Sequence, residues 1–279
     1  MIEHNYAEPV SKLLLLGRPD NHHGWLDYQK MGITRADIPE LTRLVEDKEL
    51  RWMEKPVDLP EDEDLTEWYG QIHAWRALAQ LKAEEAIPAL LNILQEIDDY
   101  MDDWYGEDSF KVFPMIGPVA IRPLAEYLAN AKHGTWARVA ASTSLEKMTK
   151  EHPETKLECA AAIAVALQGY KDNDESLNGS LISDLVQMDA AREYLELIDE
   201  AFKSGNVDEG IDGDFEDVEI KLGLREKRSK PRINPYFFEG DRMVVDNSHP
   251  VIQHEMKKIK KEKNKRKQEK KSRKRNRRK

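Results

Sequence analysis

The amino-acid sequence predicts an all-α protein built as an α-solenoid, an armadillo- or HEAT-like superhelix of helix pairs, with no sheet and with a disordered basic C-terminal tail. Three observations predict this class. In residues 73–94, HAWRALAQLKAEEAIPALLNIL, the residues Trp75, Leu78 and Leu81 fall at helical spacing, and so do Ile87, Leu90, Ile93 and Leu94. Only Lys82-Ala83-Glu84-Glu85 separates the two runs, so they must pack as an antiparallel hairpin. The frame of the second run, Ile-Pro-x-Leu-x-x-Ile-Leu, recurs with copies at Ile38, Ile87, Ile121, Leu157 and Ala191, at intervals of 49, 34, 36 and 34 residues. That is the period of helix-pair repeats. The alternating Val, Ile and Thr runs that mark half-buried strands are absent.

Residues 8–16 carry Val10, Leu13, Leu14 and Leu16 and read as a short apolar helix that caps the array, stopped by Gly17-Arg18-Pro19-Asp20. Asn21-His22-His23-Gly24 lacks a third ligand at helical spacing and reads as a polar loop rather than a metal site. The first pair comprises residues 25–30 and 34–48, with Thr34 as N-cap and Asp37 placed for a capping-box contact. The long first interval is filled by residues 54–64, where Glu54, Asp58, Glu61, Asp62, Glu63 and Asp64 oppose Lys55 and two prolines forbid a helix. This is a solvated loop, or a docking site for a basic partner.

The second pair occupies residues 65–103. Its closing aspartates do not fit a calcium loop, because no Gly stands at the sixth position. Phe110, Phe113 and Ile116 give the third pair a compact first helix, broken by Gly117-Pro118 before residues 120–132. Residues 134–148 and 153–170 form the fourth, with Cys159 a buried small hydrophobe among alanines. The segment 171–176 fails the same calcium test, with Leu177 and Ser183 where Gly and Glu are needed. Residues 181–188 and 190–203 close the array, and the acidic segment 208–219 with Val218, Ile220 and Leu222 forms a final cap. The array therefore spans residues 1–224. An extended arm, residues 225–256, carries Tyr236-Phe237-Phe238, which docks back on the array, and residues 257–279 are the tail.

The opening Ala86-Ile87-Pro88-x-Leu90, preceded by Arg76-Ala77-Leu78-x-x-Leu81, resembles the HEAT-like repeats first associated with phycobilisome lyases. The resemblance covers residues 27–224 and implies the helix-pair superhelix. Repeats of this type occur in scaffolds, lyases and DNA-repair proteins alike. The order of segments, including Gly32-Ile33-Thr34 and Val207-Asp208-Glu209-Gly210, also resembles a bacterial group with no assigned reaction. Members of that group often end in a Cys-rich zinc-binding tail, whereas this tail has neither Cys nor His.

Composition narrows the function. There is no apolar run of about 18 residues and no basic-then-apolar start, so neither a membrane span nor a signal peptide is expected, and the location is cytoplasmic. With one Cys, no internal disulfide and no Cys-based metal site can form. No phosphate-binding Gly loop, Gly-x-Ser-x-Gly or His-Glu-x-x-His motif occurs, and no cofactor is expected. Residues 257–279 hold 16 Lys and Arg against 2 Glu, a charge of +14, and since the whole chain carries −10, residues 1–256 carry −24.

The expected role is a non-enzymatic scaffold or adaptor that binds a protein partner on the second helices, with RNA or the ribosome as the alternative partner through the tail. A HEAT-like lyase or DNA glycosylase is a further alternative, although a body of −24 repels phosphates. Candidate binding residues on the array are His73, Trp75, Arg76, Trp136 and Arg138. Those of the tail are Lys257, Lys258, Lys260, Lys261, Lys265, Arg266, Lys267, Lys270, Lys271, Arg273, Lys274, Arg275, Arg277 and Arg278.

Overall fold

The computed structural model describes residues 5–19, 24–51, 53–54, 64–100, 103–229, 236–239 and 242–245. The chain divides into two units, Met1–Lys227 and Arg228–Lys279, each described by itself.

Among the described residues of the first unit, all the regular structure is helical. Its α-helices are α1 (Ile38–Val45), α2 (Lys48–Arg51), α3 (Gly70–Gln80), α4 (Ile87–Leu94), α5 (Glu96–Tyr100), α6 (Asp103–Ile116) and α7 (Ile121–Ala129). There follow α8 (Thr135–Glu151), α9 (Lys156–Leu167), α10 (Glu175–Gln187), α11 (Leu195–Lys203), α12 (Glu209–Asp212) and α13 (Phe215–Lys221). They form two rows: α3, α6, α8 and α10 pack in succession, as do α1, α4, α7 and α9. Contacts between neighbours are what a repeat array requires, since one pair alone cannot bury its apolar face.

Each of the five second helices, α1, α4, α7, α9 and α11, follows directly on a single 3₁₀ turn: Arg35–Asp37, Glu84–Ala86, Pro118–Ala120, Pro153–Thr155 and Ala191–Tyr194. Pro39 and Pro88 stand in the first helical turn, where a missing N–H costs nothing. Counted from the residue after that turn, the fourth position holds Leu41, Leu90, Leu124, Cys159 and Ile198, all fully buried. This register corrects two of the frames read from sequence. The fourth begins at Lys156 rather than Leu157, which is 70% exposed, and the fifth begins one helical turn later, at Leu195.

The first pair is reduced. Its first member is only the 3₁₀ turn Gln29–Met31, ended by Gly32 at φ 93, although Tyr28 beside it is buried. The expected capping box is present: the Asp37 carboxylate accepts from the Thr34 backbone N–H at 2.7 Å and from its hydroxyl at 2.8 Å. The N-terminal apolar segment is likewise a 3₁₀ helix, Val10–Leu15, which buries Val10, Leu13 and Leu14 against α3. The first helix of the third pair is longer than expected, starting at Asp103.

Within residues 208–219 the acids serve local structure. Asp208 and Asp214 cap α12 and α13, Asp212 pairs with Lys221, and Glu216 and Glu219 pair with Arg225. Between the fourth and fifth pairs, Asp174 caps α10 by accepting from Ser176 N–H at 2.9 Å. Asn173, Asn178 and Asn206 then lace the loops through backbone carbonyls, as when Asn178 Nδ2 donates to Tyr170 O at 2.8 Å and to Asn206 O at 2.7 Å.

The second unit departs from the expectation of no sheet. Strands β1 (Tyr236–Glu239) and β2 (Arg242–Val245) form a two-stranded antiparallel ladder, with Phe237 opposite Val244 and Phe238 opposite Met243. Aromatic and β-branched residues on either side of Gly240-Asp241 are a hairpin signal, which overrides the polar composition around it. The docking expected of the aromatic triplet concerns side chains outside the described residues. Residues 55–63, the histidines at 22 and 23, and the whole basic tail from Lys257 to Lys279 also lie outside them.

Candidate functional site

Helix α3 collects the first group of sequence candidates and buries all of them. His73, Trp75 and Arg76 are each at most 1% exposed. Trp75 meets Tyr105 and Phe113 edge-on, at ring distances of 5.2 and 5.9 Å, and so ties α3 to α6. His73 Nε2 lies 2.9 Å from Gly17 O, which can only accept, so Nε2 carries the proton and Nδ1 accepts from the Tyr28 hydroxyl at 2.8 Å. Burial pushes its pKa down to about 4, so it is neutral at physiological pH. Arg76 donates from Nε to Asp108 at 2.6 Å and from an Nη to the other carboxylate oxygen at 3.1 Å. The Arg76 guanidinium also lies 5.0 Å from the centre of Trp25 and 5.8 Å from that of Trp104. The trio therefore builds the core and presents no surface to a partner.

Trp136 and Arg138 open α8. Trp136 is about half exposed, while its backbone N–H donates to Asp98 at 3.0 Å. Arg138 is buried, donating from Nε to Leu128 O at 2.8 Å and from an Nη to Asn173 at 3.2 Å. Of the five array residues, Trp136 alone reaches solvent to a useful extent.

A concave feature lies between α4 and α7. A groove of about 580 Å³ is walled by Ile87, Pro88, Leu91, Val119, Pro123 and Tyr127, with Glu84, Asn92, Glu126, Asn130 and His133 completing its lining. The repeat frame builds it, because the second and fifth positions of α4, Pro88 and Leu91, face away from the fully buried fourth, Leu90. At one end the rings of Tyr127 and His133 stack at 3.7 Å and 7°. Burial and the nearby Arg138 lower the His133 pKa, so the stack is uncharged at neutral pH. The Tyr127 hydroxyl is buried without a hydrogen-bond partner, and burial together with Asp98 and Asp99 holds it protonated. Glu84 and Glu126 make the rim acidic, although Arg122 Nε pairs with Glu126 at 2.9 Å. This arrangement can grip an apolar side chain and meet a cation beside it.

Residues 38–235, beginning at the first residue of α1, match the model of a family described as a protein of unknown function, DUF1186. The chain belongs to that family. No curated protein and no solved structure matches it.

Sequence reasoning about DUF1186 residues missed Tyr127 and His133. In the frame that begins at Ile121, Tyr127 stands at an apolar position, and the loop that returns His133 onto its ring has no helical period to betray it. Among the described residues no group of three His, Cys, Asp or Glu side chains is placed to hold a metal, and no helix is long and apolar enough to cross a membrane.

Proposed function

We propose that this DUF1186 chain is a HEAT-like solenoid scaffold that holds a protein partner in the groove between α4 and α7. The observation that carries the reading is the groove itself, with its apolar walls, acidic rim and an unpaired buried Tyr127 hydroxyl. Small, largely apolar clefts with a few placed polar groups are how folds bind ligands, and repeat arrays use their rows of second helices for it. The test is capture: full-length wild-type chain and a Val119→Arg variant serve as baits under identical conditions. Val119 is 47% exposed, so the fold tolerates the change. A protein retained by the wild type and lost by the variant supports the reading, and identical capture sinks it.

A second reading rests on the +14 charge of residues 257–279. In it, the tail adds electrostatic contacts to RNA or to the ribosome. For ~6–8 contacted phosphates, single-strand affinity falls with a log–log salt slope of roughly −4 to −6. Equal RNA affinity for the full chain and for one ending at Glu255 removes the tail from function.

A further inference from the structure

Helix α9 breaks a rule the other second helices keep. In α1, α4, α7 and α11 the second position holds Pro39, Pro88, Arg122 and Glu196, and the sixth holds Arg43, Asn92, Glu126 and Glu200, all exposed. In α9 these exposed positions hold Leu157 and Ala161. Helix α9 is also longer, 12 residues against 8 or 9 for the others, and its added turn carries Val165. Leu157 is 70% and Val165 56% exposed. Spaced four apart, residues 157, 161 and 165 form one stripe about 12 Å long. The fold does not need the stripe, because Cys159 and Ile163 on the opposite face are fully buried and fix the helix to the array.

We infer that this stripe docks a basic amphipathic helix of a protein partner. Charge selects the occupant. The exposed Glu154 and Glu158 flank Leu157, whereas the neighbouring Lys156 is turned to Asp189 at 3.8 Å. Residues 1–256 as a whole carry −24. A second copy would set these acids against themselves, while a helix with Lys or Arg beside its apolar face meets opposite charge. The stripe lies on a different helix from the α4–α7 groove, and the inference rests on the scaffold reading only in requiring a protein partner.

The test uses the full chain and a labelled Leu/Lys peptide of ~18 residues, five helical turns, with Leu at every third or fourth position. A scrambled peptide of the same composition and a Leu/Glu counterpart serve as controls. The expected result is binding of the Leu/Lys helix alone, weakened at least about tenfold in the double variant Leu157→Ser/Val165→Ser while the melting temperature stays unchanged. Equal binding of the scrambled peptide reduces the effect to bulk charge and overturns the inference, as does undiminished binding by the double variant. Loss of binding in Val119→Arg instead puts the peptide in the groove, which overturns the stripe and leaves the scaffold reading standing. A dimer of the wild-type chain that the double variant abolishes assigns the face to a second copy and overturns the inference too.

Discussion

Asp98 on α5 and Gly134 just ahead of α8 are fitted to one another: a Cβ on Gly134 would stand 2.1 Å from the Asp98 carboxylate carbon. The open space admits the carboxylate to the start of α8, where one oxygen accepts from Trp136 N–H at 3.0 Å and the other from Ala137 N–H at 2.7 Å. A residue 36 positions upstream of Gly134 thus supplies the N-terminal cap that Gly134 itself lacks. Asp98→Ala should cost about 1–2 kcal/mol. Gly134→Ala should cost a similar amount by expelling the same carboxylate. The double variant should cost little more than either single one, because both remove one contact. Guanidinium unfolding of the four proteins measures the cycle, and simple additivity would show that the two positions are independent.

The buried bidentate pair of Arg76 and Asp108 yields a second prediction. Burial pushes the Asp108 carboxyl above its ordinary value despite the guanidinium beside it, so desolvation is a large part of its balance. Asp108→Ala leaves a buried cation uncompensated and should cost about 3–5 kcal/mol. The double variant Arg76→Met/Asp108→Leu should recover most of that loss. A double variant as unstable as the single one would mean that Arg76 is held by its other contacts rather than by Asp108.

The repeat register gives a third. Leu90→Ala and Leu124→Ala, both at the fully buried fourth position, should each cost about 2–5 kcal/mol. Leu157→Ala, one residue off the register and exposed, should stay within about 0.5 kcal/mol of wild type. Thermal unfolding of the three separates this register from the one that places Leu157 inside.

These positions also show how far the fold was legible. Periodicity places a helix whenever the buried positions are large and apolar, as in α4 and α7. It slips by one residue in α9 because Leu157 has the larger apolar side chain, although the smaller Cys159 is the buried one. The strand pair of residues 236–239 and 242–245 and the Thr34 cap both rest on local signals, and of the two only the cap is expected from the sequence. Of the groove, the frame yields Ile87 and Pro88, while Leu91 stands at one of its unspecified positions. The Tyr127–His133 stack and the Asp98 cap depend on loop return and on contacts between separate helices, which no spacing rule encodes. His73, Trp75 and Arg76 look site-like because polar and aromatic residues are mixed there, yet His73 and Arg76 have their hydrogen-bond partners inside the core and Trp75 packs its ring against Tyr105 and Phe113.

Two buried groups should pull the pH dependence of stability in opposite directions. Asp184 on α10 accepts from Ser142 Oγ of α8 at 2.6 Å, with Glu146, Lys147 and Lys150 nearby on α8. Burial, reinforced by Glu146, raises the Asp184 pKa from 3.8 to about 7. Its folded form therefore holds a proton that the unfolded chain has released, so its contribution is full below about 4 and is lost as pH rises to about 7. His73, with its pKa pushed down from 6.5 to about 4, behaves conversely: its contribution is full above 6.5 and is lost as pH falls toward 4. Each group imposes a slope approaching about 1.4 kcal/mol per pH unit in its window, and between pH 4 and 6.5 the two slopes cancel. Stability measured as a difference from wild type should expose them separately. Asp184→Asn, which keeps an acceptor for Ser142, should gain on wild type steadily from pH 4 to 7. His73→Gln should lose on wild type over pH 4 to 6.5 and hold constant above it. A flat difference curve for either variant would mean that its side chain titrates alike in the folded and unfolded chain, and hence that it is solvated rather than buried between the helices.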